Sequence, residues 1–259
     1  MSSRPQSQGS VPRSVTDEHR AAVLRAMNRP RFRWWVLGEY ARHILIAIPL
    51  FFLLRTFIVE AFKIPTGSMK NTLLVGDFLL VNKFVYGAEI PYTDRHLPAF
   101  RQPQRFDIIV FKYPRDQTKN YVKRLIGLPG DTLQMRDGRM FVNGHALNEP
   151  YVVHTDPFAD PSPDEFSWQR SFLVRSAEAS DAYHPSRNNW GPLVVPERNY
   201  FMLGDNRDDS SDSRYWGFVP QSLVMGEPMM VYYSYKMDAP DQHPWFSDVR
   251  WDRIGTRVR

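Results

Sequence analysis

The chain has no cysteine in its 259 residues. No disulfide or thiolate-metal framework can therefore hold the fold, and no cysteine nucleophile exists. Glycine is sparse, at 14 against 21 prolines, and no glycine-rich loop of the phosphate-cradling kind occurs. The seven histidines are scattered without ligand-like spacing, so they read as surface or hydrogen-bonded residues. There is no His-Glu-x-x-His zinc motif, no Gly-x-Ser-x-Gly elbow and no Ser-x-x-Lys pair. Long apolar runs are scarce too, the one uninterrupted stretch being Ile44–Leu54.

What is present is a chain with 42% apolar and 14% aromatic residues, enough for a packed core and too much for global disorder. Its net charge of +5 is confined to one end: residues 1–43 hold Arg4, Arg13, Arg20, Arg25, Arg29, Arg31, Arg33 and Arg42 against Asp17, Glu18 and Glu39. A basic stretch just ahead of an apolar segment is what positive-inside membrane orientation requires, and it argues against a nucleic-acid-binding arm. Residues 1–30 lack a sustained apolar period and read as a tail with a short helix near Glu18–Met27.

A membrane-spanning helix needs about 20 largely apolar residues. The run at Ile44–Leu54 must therefore include Tyr40–Arg42 or pass Arg55 to about Val59, and the second option is preferred. Arg55 can run its aliphatic stem along the helix and place its guanidinium among headgroups, and Pro49 is tolerated. The basic region is long for a cleavable secretory signal and no convincing small-x-small site follows, so an uncleaved anchor is expected.

Beyond residue 62 the pattern turns to strands: Phe78–Val81, Asp107–Phe111, Tyr121–Ile126, Thr132–Met135, Met140–Val142, Tyr200–Leu203 and Val224–Tyr233. Asp137-Gly138 is a strong tight-hairpin signal and Asn143-Gly144 marks the next turn. No helical crossovers separate these strands, so an antiparallel β domain is expected, not a doubly wound sheet. Residues 151–199, dense in Asp, Pro, Ser and Trp, read as an inserted loop region or small subdomain. There is no internal repeat.

Three segments carry the chemistry: Phe62-Lys-Ile-Pro-Thr-Gly-Ser-Met-Lys-Asn-Thr-Leu73 with Gly76–Phe84 after it, then Tyr121-Val-Lys-Arg-Leu-Ile-Gly-Leu-Pro-Gly-Asp131, and Leu203-Gly-Asp-Asn-Arg-Asp-Asp-Ser-Ser-Asp-Ser-Arg-Tyr-Trp-Gly-Phe-Val-Pro220. In this order, and downstream of an apolar anchor, they resemble type I signal peptidase, also called leader peptidase. The resemblance covers most of residues 44–236, and the stretch Val249–Gly255 fits it as well. One departure is Lys70-Asn71, where the family usually has a proline immediately before the Thr-Leu.

The residues themselves support a reading beside that resemblance. A serine hydroxyl is a poor nucleophile at neutral pH and needs an unprotonated base within hydrogen-bond reach. Lysine serves only if its pKa falls from ~10.4 to about 7–8, a shift of about 3 to 4.5 kcal/mol that apolar burial can impose. Val122, Leu125 and Ile126 supply apolar sequence neighbours for Lys123. Taken alone, Lys123 would be a solvated strand lysine and Ser68 a turn residue.

The resemblance implies Ser68 as nucleophile, Lys123 as general base, and an oxyanion hole made by the Ser68 amide and the Thr66 hydroxyl, with threonine where many members have serine. It implies further that Ser210 hydrogen-bonds and orients Lys123, with Asp212 and Arg214 as a buttressing pair. Phe62, Ile64, Pro65, Met69, Leu73, Tyr121 and Val122 would line shallow pockets that accept small side chains before the cut, with the substrate added as a strand. The acidic loop Asp205–Asp212 lacks the glycine and terminal glutamate of a calcium loop and is expected to be structural. Neither metal nor other cofactor is expected.

The resulting expectation is a mainly β protein: an antiparallel catalytic domain of signal-peptidase type with one N-terminal transmembrane helix. Its parts are a basic cytoplasmic tail at 1–35, an anchor at 36–60, a catalytic domain at 61–240 and a C-terminal extension at 241–259. Signal peptides of exported preproteins, the bilayer and proximity to the secretion translocon are the expected partners, without nucleic acid. The expected location is a plasma or bacterial inner membrane, single-pass, with the catalytic domain on the outer side. Nine residues separate Val59 from Ser68, so the nucleophile can stand no more than ~30 Å from the helix end. The alternatives are another Ser/Lys peptidase, such as a self-cleaving repressor or a pilin-type maturation peptidase, and a catalytically silent tethered binder of extended peptides. The first would replace the anchor with a DNA-binding domain in the repressor case; the second is disfavoured by the presence of both Ser68 and Lys123.

Overall fold

A computed structural model of the chain describes residues 15–27, 30–87, 93, 97–174, 183–237 and 248–259. The chain divides into two units, residues 1–53 and 54–259. Much of the tail read from sequence, the middle of the 151–199 segment and the start of the C-terminal stretch lie outside the described residues.

The first unit is helical. Helix α1 spans Val15–Met27 and carries Asp17 and Glu18 in its first turn, where carboxylates complement the helix dipole. Helix α2 spans Pro30–Phe57. Within it Val36–Leu53 is long and apolar enough to cross a membrane, with none of that window buried by protein. Ile44, Leu45, Ile46, Ile48, Leu50, Phe51, Phe52 and Leu53 are all more than half exposed. A helix apolar on every side needs an apolar solvent or a large core around it.

The helix stops earlier than expected. Val59–Lys63 is a strand, β1, so residues 59–60 of the anchor assigned from sequence belong to the sheet. The reason is pairing: β1 runs antiparallel to β2 (Asp77–Asn82), from Val59 opposite Asn82 to Lys63 opposite Phe78. That ladder satisfies backbone groups which an extended helix end would have left open.

The second unit is built from two antiparallel sheets. Its remaining strands are β3 (Ile108–Tyr113), β4 (Asp116–Gly127), β5 (Thr132–Arg136), β6 (Arg139–Val142), β7 (His145–Ala146), β8 (Trp190–Val194), β9 (Asn199–Leu203), β10 (Val219–Pro220) and β11 (Val224–Ser234), with a one-turn helix α3 at Ser213–Trp216. The larger sheet has the order β1-β2-β11-β3-β4-β9-β10 and the smaller β7-β6-β5-β8. Strands β5 and β6 turn at Asp137-Gly138 and β6 and β7 at Asn143-Gly144, with φ of 48° and 74°, then 51° and 81°. Two successive positive φ values are what the tight primed turns demand, and Asn/Asp-Gly adopts them at least cost.

Described parts of residues 151–199 join the smaller sheet and its core. Strand β8 pairs with β5 and closes the smaller sheet, and Leu173, Trp190, Leu193 and Val195 pack with Leu133, Met135, Met140 and Phe201 in one core. Residues 248–259 pack against the larger sheet as well. Gly255 N donates to Val231 O, Val231 N to Thr256 O and Val258 N to Met229 O, placing them alongside β11. Arg253 donates to Thr72 O and to buried Asp77, and Arg250 donates to Val75 O.

Candidate active site

Ser68 sits in a single 3₁₀ turn, Gly67–Met69, entered from extended Thr66 and left through a Lys70 N to Gly67 O hydrogen bond of 2.9 Å. The turn is held from below by apolar burial. Ile64, Met69 and Leu73 pack with Leu79, Val81, Ile108, Val110 and Val231, each such side chain contributing about 1.5–3 kcal/mol. It is held from the side by Asn206, whose N–H donates to Ser68 O at 3.1 Å. Asn71 has φ of 82°, a left-handed conformation that asparagine tolerates and proline cannot reach.

Lys123 comes from the neighbouring wall. It lies on β4, paired with Ile109 of β3, in a stretch from Lys123 to Gly127 that is buried throughout. Its Nζ stands 2.5 Å from Ser68 Oγ, and the residue is 4% exposed. Burial drives the Lys123 pKa down to about 8, against the upward pull of Asp212 and Asp205 and with help from the positive charge of Arg214. Desolvation prevails because both carboxylates are already engaged. Asp212 takes Arg214 Nε at 2.9 Å and Nη2 at 2.8 Å, and Asp205 takes Arg124 Nε at 2.8 Å and Nη2 at 2.7 Å. Each is a bidentate pair in which the guanidinium screens the carboxylate from the amine. Burial pushes Asp212 up, but Arg214 and the Gly204 N–H together hold it below the usual carboxylate range.

Thr66 Oγ1 lies 3.5 Å from Ser68 Oγ. Ser210 departs from expectation. Its hydroxyl is buried and has no hydrogen-bond partner among the described residues, so the bond to Lys123 is not formed. It packs against Gly204, where an added Cβ would fall 2.2 Å from Ser210 Oγ and 2.6 Å from Ser68 O; only a residue without a side chain fits between these two loops.

A cleft of about 300 Å³ opens over Ser68 and Lys123. Phe62, Ile64, Pro65, Met69, Tyr121 and Val122 all line it. Leu73 does not: it is fully buried in the core beneath the Ser68 turn, where its β-sheet neighbours leave no face toward the cleft. The sequence reading missed Lys63, Gly67, Asn120, Asp209 and Ser211, which complete the lining. It missed also the clamp formed by Arg124, Asp205 and Thr72, whose Oγ1 donates to Asp205 at 2.5 Å. The adjacency of Lys123 and Arg124 with a buried Asp pairing partner was the available signal. Among the described residues no group of three His, Asp or Glu could hold a metal ion.

The arrangement suits acyl transfer: a hydroxyl on a tight turn, a desolvated amine within hydrogen-bond reach, and an apolar groove between two extended walls. A model of the family described as "Signal peptidase, peptidase S26" matches residues 37–233. The chain is similar to a protein of Pseudomonas aeruginosa named "Signal peptidase I", 38% identical over 242 residues that cover 88% of this chain and 82% of that protein. A protein of the same name from Rickettsia conorii is 33% identical over 247 residues, covering 84% and 90%. Among solved structures, a signal peptidase I from Enterococcus faecalis matches with 38% identity over 50% of this chain and 98% of that one, at a TM-score of 0.34.

Proposed function

Since the chain belongs to the peptidase S26 family of signal peptidases, serine peptidases that remove signal peptides from exported proteins, we propose that it cuts through a Ser68 acyl-enzyme with Lys123 as the general base. The observation that carries this assignment is the 2.5 Å approach of a buried lysine amine to the serine hydroxyl. With the amine neutral, the Ser68 O–H donates to the Nζ lone pair. Oγ attacks the scissile carbonyl carbon as the proton passes to Nζ, and the carbonyl oxygen becomes an oxyanion stabilised by the Ser68 N–H and the Thr66 hydroxyl. Collapse breaks the C–N bond, and the departing amine takes the proton from Lys123. Water, deprotonated by the now neutral Lys123 Nζ, then attacks the ester; its carbonyl reforms as the bond to Oγ breaks and Ser68 Oγ takes the proton back from Nζ. The signal peptide leaves as a carboxylate.

The apolar groove supports selection of small side chains before the cut, with the peptide added as a strand between residues 62–67 and 120–123. Helix α2 would anchor the protein in a plasma or bacterial inner membrane, with the arginine-rich N-terminus cytoplasmic and the β unit on the outer side, where preproteins emerge near the secretion translocon.

The test is digestion of a preprotein carrying Ala-x-Ala before the scissile bond by the full chain in detergent, across pH. The base must be unprotonated, so kcat/KM rises with pH and levels off above the Lys123 pKa of about 8. A flat profile between pH 6 and 9 contradicts lysine as the base. Thr66→Val removes one oxyanion donor while keeping its shape, and kcat is expected to fall about 10²-fold with KM little changed; Thr66→Ser should restore most of it.

A further inference from the structure

The turn bearing Ser68 leans on a loop that is itself supported by the segment around Val153. Val153 and Asn206 form a parallel bridge, with Val153 N donating to Asp205 O at 2.8 Å and Arg207 N to Val153 O at 3.0 Å. Asn206 is 2% exposed. Its side chain joins two segments: Oδ1 accepts from the Thr155 hydroxyl at 3.0 Å, and Nδ2 donates to Gly67 O at 3.5 Å. A carbonyl oxygen only accepts, so the amide nitrogen faces Gly67 and the amide oxygen faces the hydroxyl of Thr155. Gly67 O also takes the Lys70 N–H at 2.9 Å.

The Gly67–Ser68 peptide is a planar trans unit, so its C=O and N–H point in opposite directions and cannot turn independently. Whatever holds Gly67 O therefore aims the Ser68 N–H. Side-chain packing does not hold it: a Cβ added at Gly67 would meet no described atom within 4 Å, and glycine leaves the backbone beside it free to rotate. We propose that Asn206 is a positioning residue for the oxyanion hole, its amide, oriented by Thr155, holding the Gly67 carbonyl so that the Ser68 N–H stays aimed at the oxyanion. This rests on the peptidase reading and deepens it. The contact is long in the free protein, but hydrogen bonds in a chain polarise one another. Once the Ser68 N–H donates to an oxyanion, the Gly67 carbonyl becomes a stronger acceptor, so the Asn206 bond strengthens in the transition state more than in the ground state.

The experiment uses the full chain in detergent with an Ala-x-Ala peptide substrate, the matching peptide aldehyde and the matching peptide alcohol. The aldehyde reacts: Ser68 Oγ bonds to its carbonyl carbon, the π pair moves to the oxygen, and the Ser68 proton passes to Lys123 Nζ. The oxygen of this adduct takes the oxyanion's place, whereas the alcohol fills the cleft without reacting. Asn206→Leu is expected to lower kcat about fivefold with KM within about twofold of the unaltered enzyme. It should weaken the aldehyde by the same factor while leaving the alcohol's affinity and the pH midpoint near 8 in place. Thr155→Val, at an exposed position, should lose about threefold, and Thr155→Ser should regain it. Unchanged kcat in Asn206→Leu overturns the proposal. So does a loss shared by the alcohol or accompanied by a moved pH midpoint, either of which reports a disturbed fold or base. If Asn206→Leu does not fold, Thr155→Val decides, and kcat and aldehyde affinity equal to wild type overturn the assignment. Unaltered enzyme that neither cuts the peptide nor prefers the aldehyde to the alcohol overturns the peptidase reading, and this assignment with it.

Discussion

Lys123→Met is expected to lower preprotein cleavage by about 10⁴-fold while making the protein more stable. The loss follows from removing the amine within reach of Ser68 Oγ. The gain follows from linkage. The folded pKa of Lys123 lies near 8, below the 10.5 of an ordinary lysine. Between these two values the unfolded chain holds a proton that the folded chain does not, so wild-type stability rises with pH across that window and falls to its low plateau below about pH 8. At neutral pH the buried amine therefore costs about 3 kcal/mol, which a methionine of similar shape avoids at the price of one hydrogen bond to Ser68. Melting in detergent should show the variant several degrees more stable at pH 7, with the advantage shrinking toward pH 10.5. A variant less stable than wild type at pH 7 would mean that the amine is well solvated.

Ser68→Ala should reduce cleavage at least as far, by about 10⁴-fold or more, with no compensating change in fold. Ser68 lies in a turn fixed by backbone bonds and by Met69 and Leu73 beneath it, so loss of the hydroxyl leaves the scaffold intact. Rapid quenching of wild-type enzyme with a slowly deacylated peptide should reveal a mass increase equal to the acyl half of the substrate, located on the peptide that contains residue 68. The alanine variant should show none and should still bind the peptide. Adduct formation at another residue, or cleavage surviving the substitution, would remove Ser68 from the nucleophile's role.

Much of the β architecture was legible because local chemistry and tertiary context agree. Asp137-Gly138 and Asn143-Gly144 mark turns whose φ values few other pairs accept, and the apolar runs at residues 108–111 and 200–203 are buried strands. Strand β1 was not legible, because Val59 to Phe62 follow the apolar helix without a break and only pairing with β2 makes them extended. Strand β8 was hidden by Gly191 and Pro192, which speak against a strand but are tolerated at the edge of a sheet. Within the site, residue type identified candidates, but direction did not follow. Leu73 faces the core, not the cleft, and Ser210 faces Gly204, not the lysine, because one turn of loop decides where a side chain points. Asp209 was invisible for the opposite reason: among four similar acids, only the positions of the surrounding arginines reveal which one, among the described residues, pairs with none.

Arg253 reaches back to the carbonyl of Thr72 and the carboxylate of Asp77, contacts spanning 181 and 176 positions of the chain. Contacts so distant along the backbone form late, because the intervening chain must be ordered first. While the polypeptide is still emerging from the ribosome, the loop bearing Ser68 lacks this brace. The peptidase is thus braced last at the very place where the Ser68 turn sits.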